Sequence, residues 1–230
     1  MRRVLLTGSA GQVGRVVGPA LETAGLEVRG FDLRHGDDLR DETAVRQAME
    51  GCDAVVHAGA IAHDSGGTPS DILATNVLGT WHVLEAAEAH HVTRVVYFSS
   101  AQVFGFAEGE GVPAYLPVDD RHPLRASRPY GMSKRLAEEM CDAWTRRTAI
   151  TTIVLRPVMI LTDEGLELIT EDQAELGAFV HVDDVAAAAQ LALTAEVKGH
   201  VRLTLCGPGA FDTSSTADTL GWQATRGWPP

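Results

Sequence analysis

Val4-Leu5-Leu6-Thr7-Gly8-Ser9-Ala10-Gly11-Gln12-Val13-Gly14 stands at the start of the chain and decides how the rest is read. The apolar run to Thr7 predicts a short buried strand of a parallel sheet. The glycines after it predict a tight turn. From Gln12 to Ala24 the apolar residues recur at helical spacing, and Gly25 supplies a stop. Strand, glycine turn and helix in that order make a phosphate site. Gly8 permits the turn, Gly11 lets a pyrophosphate approach a backbone without a Cβ, and Gly14 lets the helix close on the strand. Ala10, Gln12 and Val13 fill the turn, and the helix dipole faces the anion. The spacing is GxxGxxG rather than GxGxxG, and alone it equally fits a strand-to-helix turn with no ligand.

Asp32 adds to the case for a ligand. It ends a second strand, Glu27 to Phe31, about 20 residues beyond the glycines, where a carboxylate can accept from both ribose hydroxyls of an adenosine. A carboxylate there repels a 2′-phosphate, which favours NAD; Arg34 and Arg15 are close enough in sequence to attract one, so NADP stays open. Leu33 follows Asp32. Asp38-Leu39 fits either an adenine cover, with Asp38 accepting from the amino group, or a solvated turn.

Further elements alternate: a helix from Asp41 to Glu50 capped by Asp41, a strand from Ala54 to His57, a helix from Asp71 to His90, a strand from Arg94 to Ser99, a helix from Tyr130 to Arg147 and a strand from Thr151 to Leu155. Loops run from Gly59 to Ser70 and, longer and proline-punctuated, from Gly105 to Pro129. This alternation predicts an α/β fold, a doubly wound parallel sheet (Rossmann fold). Phe179 to Val182, Asp183 to Thr194 and Val201 to Leu205 complete it. The 230 residues suit one domain, with 1–156 mainly dinucleotide-binding and 157–230 mainly a small substrate cap and tail. The tail from Gly207 onward is not placed by pattern.

Composition narrows the partners. Apolar residues make up 45% and charged residues 22%, an ordinary globular balance, and the net charge of −12 with no basic run argues against nucleic acid. No stretch suits a signal peptide or membrane span. Cys52, Cys141 and Cys206 are scattered, without CxxC or HExxH, so no metal is expected and a reducing cytoplasm fits.

Tyr130 and Lys134 stand one helical turn apart, with Ser99-Ser100 ending the fourth strand at the sheet edge that binds ligands. An ammonium beside a phenol favours phenolate and makes tyrosine a usable acid/base. The pair alone also fits an exposed helix face, and the serines alone fit a strand-end turn.

In order along the chain stand Gly8/Gly11/Gly14, Asp32, Val56-His57-Ala58-Gly59-Ala60, Asn76-Val77-Leu78-Gly79-Thr80, Ser99-Ser100, Tyr130-Gly131-Met132-Ser133-Lys134, Arg156-Pro157 and Phe179-Val180-His181-Val182-Asp183-Asp184. Together they resemble the extended short-chain dehydrogenase/reductase superfamily, of the NAD-dependent epimerase/dehydratase type, over roughly residues 3 to 205. The resemblance implies Ser100, Tyr130 and Lys134 as catalytic residues, with Lys134 also on the nicotinamide ribose. It implies His57 to Ala60, Ser99 and Asn76 around the cofactor, and Asp183 as a helix cap. It also implies a homodimer through the two long helices.

Ser100-Ala101-Gln102 stands where the dehydratases of that superfamily carry Thr-Asp-Glu, which argues against elimination. The short segment between Pro157 and His181 leaves little room for a nucleoside diphosphate sugar. Several features look similar to the short-capped uronate dehydrogenases, which implies that Arg156 binds a substrate carboxylate and that Ser100, Ala101 and Gln102 meet the substrate, although Arg156-Pro157 equally fits a structural pair of the wider family. Ala101-Gln102 and Ala62 depart from that group's pattern, so the sequence leaves the substrate open between a sugar acid and a related polyol. A nucleotide-sugar epimerase and a non-catalytic NAD(P)-binding regulator are the competing readings.

Overall fold

The computed structural model describes residues 3–105, 110–170 and 178–226. Parts of the long loop, of the cap and of the tail expected from the sequence lie outside the described residues.

Six parallel strands form the main sheet: β1 (Arg3–Thr7), β2 (Glu27–Phe31), β3 (Ala54–His57), β4 (Arg94–Phe98), β5 (Thr151–Pro157) and β8 (His200–Leu205), in the order β2-β1-β3-β4-β5-β8. The fold class is the one the sequence predicts. β1 shows why the first strand reads as an unbroken apolar run: Val4 and Leu6 enter the core on one face of the sheet and Leu5 enters the core on the other. Both faces are covered, as a parallel sheet requires. Helices α1 (Gly14–Thr23) and α7 (Val182–Thr194) pack together on the first face, with Val17, Leu21, Val185 and Ala189 in that core. On the second face lie α2 (Glu42–Met49), α4 (Gly79–Ala89) and α5 (Pro129–Arg147), contributing Val45, Leu84, Ala137 and Trp144.

β1 sends one connection outward to β2 and the next across to β3. Reversal of winding at that point opens a crevice at the C-terminal ends of β1 and β3. The chain closes tightly there. Gly8 has φ +69°, and a Cβ on it would lie 2.7 Å from the Gly59 nitrogen. A Cβ on Gly14 would lie 2.1 Å from the Gly8 carbonyl oxygen.

Element boundaries differ from expectation in a few places. The helix expected from Asp71 begins at Pro69, because Thr68 and Asp71 form a reciprocal cap, and a π turn at Ala74–Leu78 separates α3 (Pro69–Leu73) from α4. His181, not Asp183, caps α7: its ring accepts from the Asp183 N–H, and Asp183 sits in the first turn. The cap contains β6 (Met159–Leu161), paired with β7 (Phe179–His181), and α6 (Asp163–Glu167). The tail, which pattern did not place, carries α8 (Ser214–Leu220) and buries Trp222, whose indole N–H donates to the Asp184 carbonyl at 2.8 Å. Among the described residues no helix is long and apolar enough to cross a membrane.

β5 is buried along its whole length even though it contains Arg156. The reason is Glu138 of α5, which has no exposed side-chain surface. Arg156 donates to Glu138 through Nε at 2.9 Å and through a terminal nitrogen at 2.6 Å, and its other terminal nitrogen donates to the Asp120 carbonyl. Arg202 Nε lies 3.2 Å from the same carboxylate. Removing one partner of such a pair leaves a buried charge uncompensated. Glu138→Ala is therefore expected to lower the unfolding free energy by about 3–5 kcal/mol in urea titration. Replacing both partners, Glu138→Leu with Arg156→Met, is expected to recover more than half of that loss; a double variant no more stable than the single one would contradict this account.

Candidate active site

A cavity of about 760 Å³ runs along the C-terminal edge of the sheet. That volume suits a small-molecule site. One end is formed by Asp32, Leu33, Arg34, Asp38, Leu39 and Arg40 after β2, and the glycine turn forms the middle. Ser99, Ser100, Gln102, Tyr130 and Lys134, with Pro157 and Val158, form the other end.

Gly8, Gly11, Gln12, Val13 and Gly14 all line the cavity. A Cβ built on Gly11 would meet only the Gly8 carbonyl oxygen, at 3.2 Å, so the space beyond it is open. No side chain caps the first turn of α1, and that turn carries no acidic residue. An anion is the natural partner of such a helix end. Ala10 does not face the cavity. Its N–H donates to the Asp32 carboxylate at 2.9 Å, which fixes the aspartate against the turn. The other Asp32 oxygen accepts from the Arg34 N–H at 2.9 Å. A carboxylate has lone pairs left for ribose hydroxyls after two such bonds. Asp38 is held by Arg40 through both of its oxygens, and this ion pair drives its carboxyl below the usual range.

After β3, Ala58, Gly59 and Ala60 line the cavity, but His57 does not. His57 lies beneath the lining, between the Thr7 hydroxyl at 2.6 Å and the Thr80 hydroxyl at 3.0 Å. Burial and the Lys134 ammonium push its pKa down to about 3, so the ring is a neutral hydrogen-bond bridge. Asn76 is likewise displaced from the expected cofactor contact. Its side chain accepts from the Ile61 N–H and donates to the Ile61 carbonyl and the Ser133 hydroxyl, tying the loop after β3 to α5.

At the far end, Ser100 and Tyr130 line the cavity together, and the Ser100 hydroxyl acts to lower the phenol's pKa. Lys134 Nζ donates to the Phe98 carbonyl at 2.7 Å and lies 6.0 Å from the centre of the Tyr130 ring. The electrostatics of this end differ from the expectation of a lowered phenol. Burial raises Tyr130 to about 12, with the Asp64 charge adding to the rise and the Ser100 hydrogen bond opposing it. Burial also lowers Lys134 to about 7, against the pull of Glu138. A poorly solvated phenol and a poorly solvated amine both resist charging.

Two substrate contacts expected from the sequence are corrected. Ala101 does not line the cavity, whereas Gln102 does. Arg156 is 1% exposed and turned into its pair with Glu138, so the cavity wall is made by its neighbour Pro157 instead. Two residues that sequence reasoning missed hold the site together. Asp64, from the loop after β3, accepts from the Tyr130 backbone N–H at 2.8 Å and caps α5, whose own N-cap residue supplies no side-chain bond. Glu138 accepts from the Ser99 hydroxyl at 2.6 Å. Its spacing of four from Lys134 was the one available signal, and that spacing also describes an exposed helix pair.

The chain is similar to known proteins in sequence and in fold. A uronate dehydrogenase of Pseudomonas syringae pv. tomato is 33% identical over 166 residues, 67% of this chain and 58% of that protein. The L-arabinose 1-dehydrogenase (NAD(P)(+)) of Haloferax volcanii is 32% identical over 190 residues, 76% of this chain and 74% of that protein. A crystal structure of a short-chain dehydrogenase/reductase superfamily protein from Agrobacterium tumefaciens with bound NAD superposes with a TM-score of 0.84 at 26% identity, covering 98% of this chain and 93% of that one. Against the uronate dehydrogenases the chain spans about three fifths of the relative's length, 58% to 61%. The family model for the NAD dependent epimerase/dehydratase family matches residues 4–165, and the chain belongs to that family.

Proposed function

We propose that the protein is an NAD-dependent dehydrogenase that oxidises a secondary alcohol or hemiacetal hydroxyl of a small sugar-like molecule. The observation that carries this reading is the gathering of Ser100, Tyr130 and Lys134 at one end of a cavity whose other end holds Asp32 and the glycine turn. Asp32 would accept from the adenosine ribose, Gly11 and the start of α1 would hold the pyrophosphate, and Lys134 would reach the second ribose. NAD bound there supplies the hydride acceptor. Ser100 orients the substrate hydroxyl, and Tyr130, as phenolate, takes its proton. Similarity to the uronate and L-arabinose dehydrogenases supports oxidation over epimerisation.

The test is a panel of aldoses, sugar acids and nucleotide sugars with NAD and with NADP, followed by the near-ultraviolet absorbance of the reduced nicotinamide. Net reduction is expected, faster with NAD because of Asp32. Tyr130→Phe is expected to cut kcat by about 10²–10⁴-fold with little change in NAD affinity. Full turnover in that variant, or bound cofactor with no net reduction by any substrate, would sink the reading.

The pH profile carries a sign. Phenolate is the working form, so oxidation accelerates as pH rises, and a higher phenol pKa places the rising limb at higher pH. Asp64 raises that pKa and Ser100 lowers it. Asp64→Asn, which keeps an acceptor for the Tyr130 N–H and removes the charge, is expected to move the limb to lower pH. Ser100→Ala is expected to move it to higher pH and to slow the reaction. Stopped-flow rates of the first turnover against pH check both directions.

We place a homodimer contact on α4 and α5, where Trp81, Met132 and Leu136 remain exposed beside Leu78 of the preceding turn. Sedimentation velocity is expected to give twice the chain mass, and Trp81→Glu is expected to give the monomer.

A further inference from the structure

We infer that the substrate is an uncharged aldose and that the site discriminates against the matching uronate. The inference rests on the dehydrogenase reading above and adds the charge class of what that site accepts. Recognition of a carboxylate requires a cation or a fork of donors facing it, and arginine is the usual choice. Arg156, the one arginine on β5, is consumed. Its guanidinium is taken up by Glu138 and the Asp120 carbonyl, packs 5.2 Å from the centre of the Phe104 ring, is 1% exposed and is not part of the cavity lining. Freeing it for a ligand would strand Glu138, a carboxylate with no exposed side-chain surface.

Among the described residues no other cation at that end replaces it. Among the described residues the lysines and arginines lining the cavity are Arg34, Arg40 and Lys134. Arg34 donates to the Ala10 carbonyl and Arg40 grips Asp38, both at the Asp32 end. Lys134 is tied to the Phe98 carbonyl. The sequence holds no lysine or arginine between Arg156 and Lys198, the stretch that includes the whole cap. It holds acids instead: Asp163, Glu164 and Glu167 in α6, then Glu171, Asp172 and Glu175. Apart from Lys134, which is held at the Phe98 carbonyl, the residues named at the substrate end are neutral, with Ser100 and Gln102 offering hydrogen bonds and Ala62, Pro157 and Val158 offering apolar surface. Hydroxyls can be satisfied in such a site. A carboxylate entering it loses water and gains no partner.

In the reaction the anomeric C–H and O–H bonds of the cyclic hemiacetal break and the carbonyl of a lactone forms. The C–H hydrogen leaves as hydride with both electrons of that bond and reduces NAD, and the hydroxyl proton leaves through Tyr130.

The experiment compares kcat/KM for matched pairs that differ only at C6, D-galactose with D-galacturonate and D-glucose with D-glucuronate, with L-arabinose as a further neutral aldose. The aldose of the better pair, or L-arabinose, is expected to exceed the uronate by at least about tenfold, the factor that 1.4 kcal/mol provides. Val158→Lys, which puts an ammonium on the cavity wall, is expected to shift the uronate-to-aldose ratio upward. A uronate used as well as its aldose, or a ratio that Val158→Lys leaves unmoved, overturns this inference alone. Absence of reduction with every sugar overturns the dehydrogenase reading and this inference with it.

Discussion

A carboxylate sealed from water organises the chemical end of this protein. Glu138 has no exposed side-chain surface, yet Arg156 of β5 and Ser99 at the end of β4 all donate to it, and Arg202 of β8 stands beside it. A buried charge tolerates few positions, because each lost partner costs more than a surface contact would. Glu138 therefore fixes α5 against three strands at once. Lys134 lies one turn earlier on the same helix and Tyr130 one turn before that, so their positions over the sheet edge follow from where Glu138 must sit. The same pair holds Arg156 out of the cavity lining, where its neighbour Pro157 makes the wall.

The other end depends on close approach rather than charge. Gly8, Gly14 and Gly59 occupy positions where a Cβ would meet backbone at under 3 Å or a side chain equally near. Their packing draws the turn after β1 against the chain after β3 and leaves the start of α1 facing the crevice. Asp32 is then fixed by the Ala10 N–H, so the carboxylate and the turn form one rigid piece. Such preorganisation reduces what a ligand must order on binding. The loop after β3 joins the two ends, since Asn76 holds it at Ile61 and Asp64 caps α5 at Tyr130.

Burial holds Tyr130 and Lys134 in states that both resist ionisation. Burial explains each, and the two effects oppose the mutual stabilisation that a simple phenol-ammonium pair would give. Any ligand that brings positive charge beside the phenol would favour its ionised form, which couples the readiness of the base to occupancy of the site.

Much of this was legible in the sequence. The strand–glycine–helix start, Asp32 after β2, Ser99-Ser100 after β4 and the Tyr130–Lys134 spacing are local patterns, and local sterics with period-2 and period-3.6 burial are enough to write them. The family likewise follows from their order along the chain. What sequence left open were contacts between residues far apart in the chain. Arg156 and Glu138 are 18 positions apart, Asp64 and Tyr130 are 66 apart, and Trp222 reaches Asp184 across 38. An arginine on a strand reads the same whether it faces a ligand or a buried glutamate. Only packing, which decides what each charge can reach once water is excluded, tells the two apart.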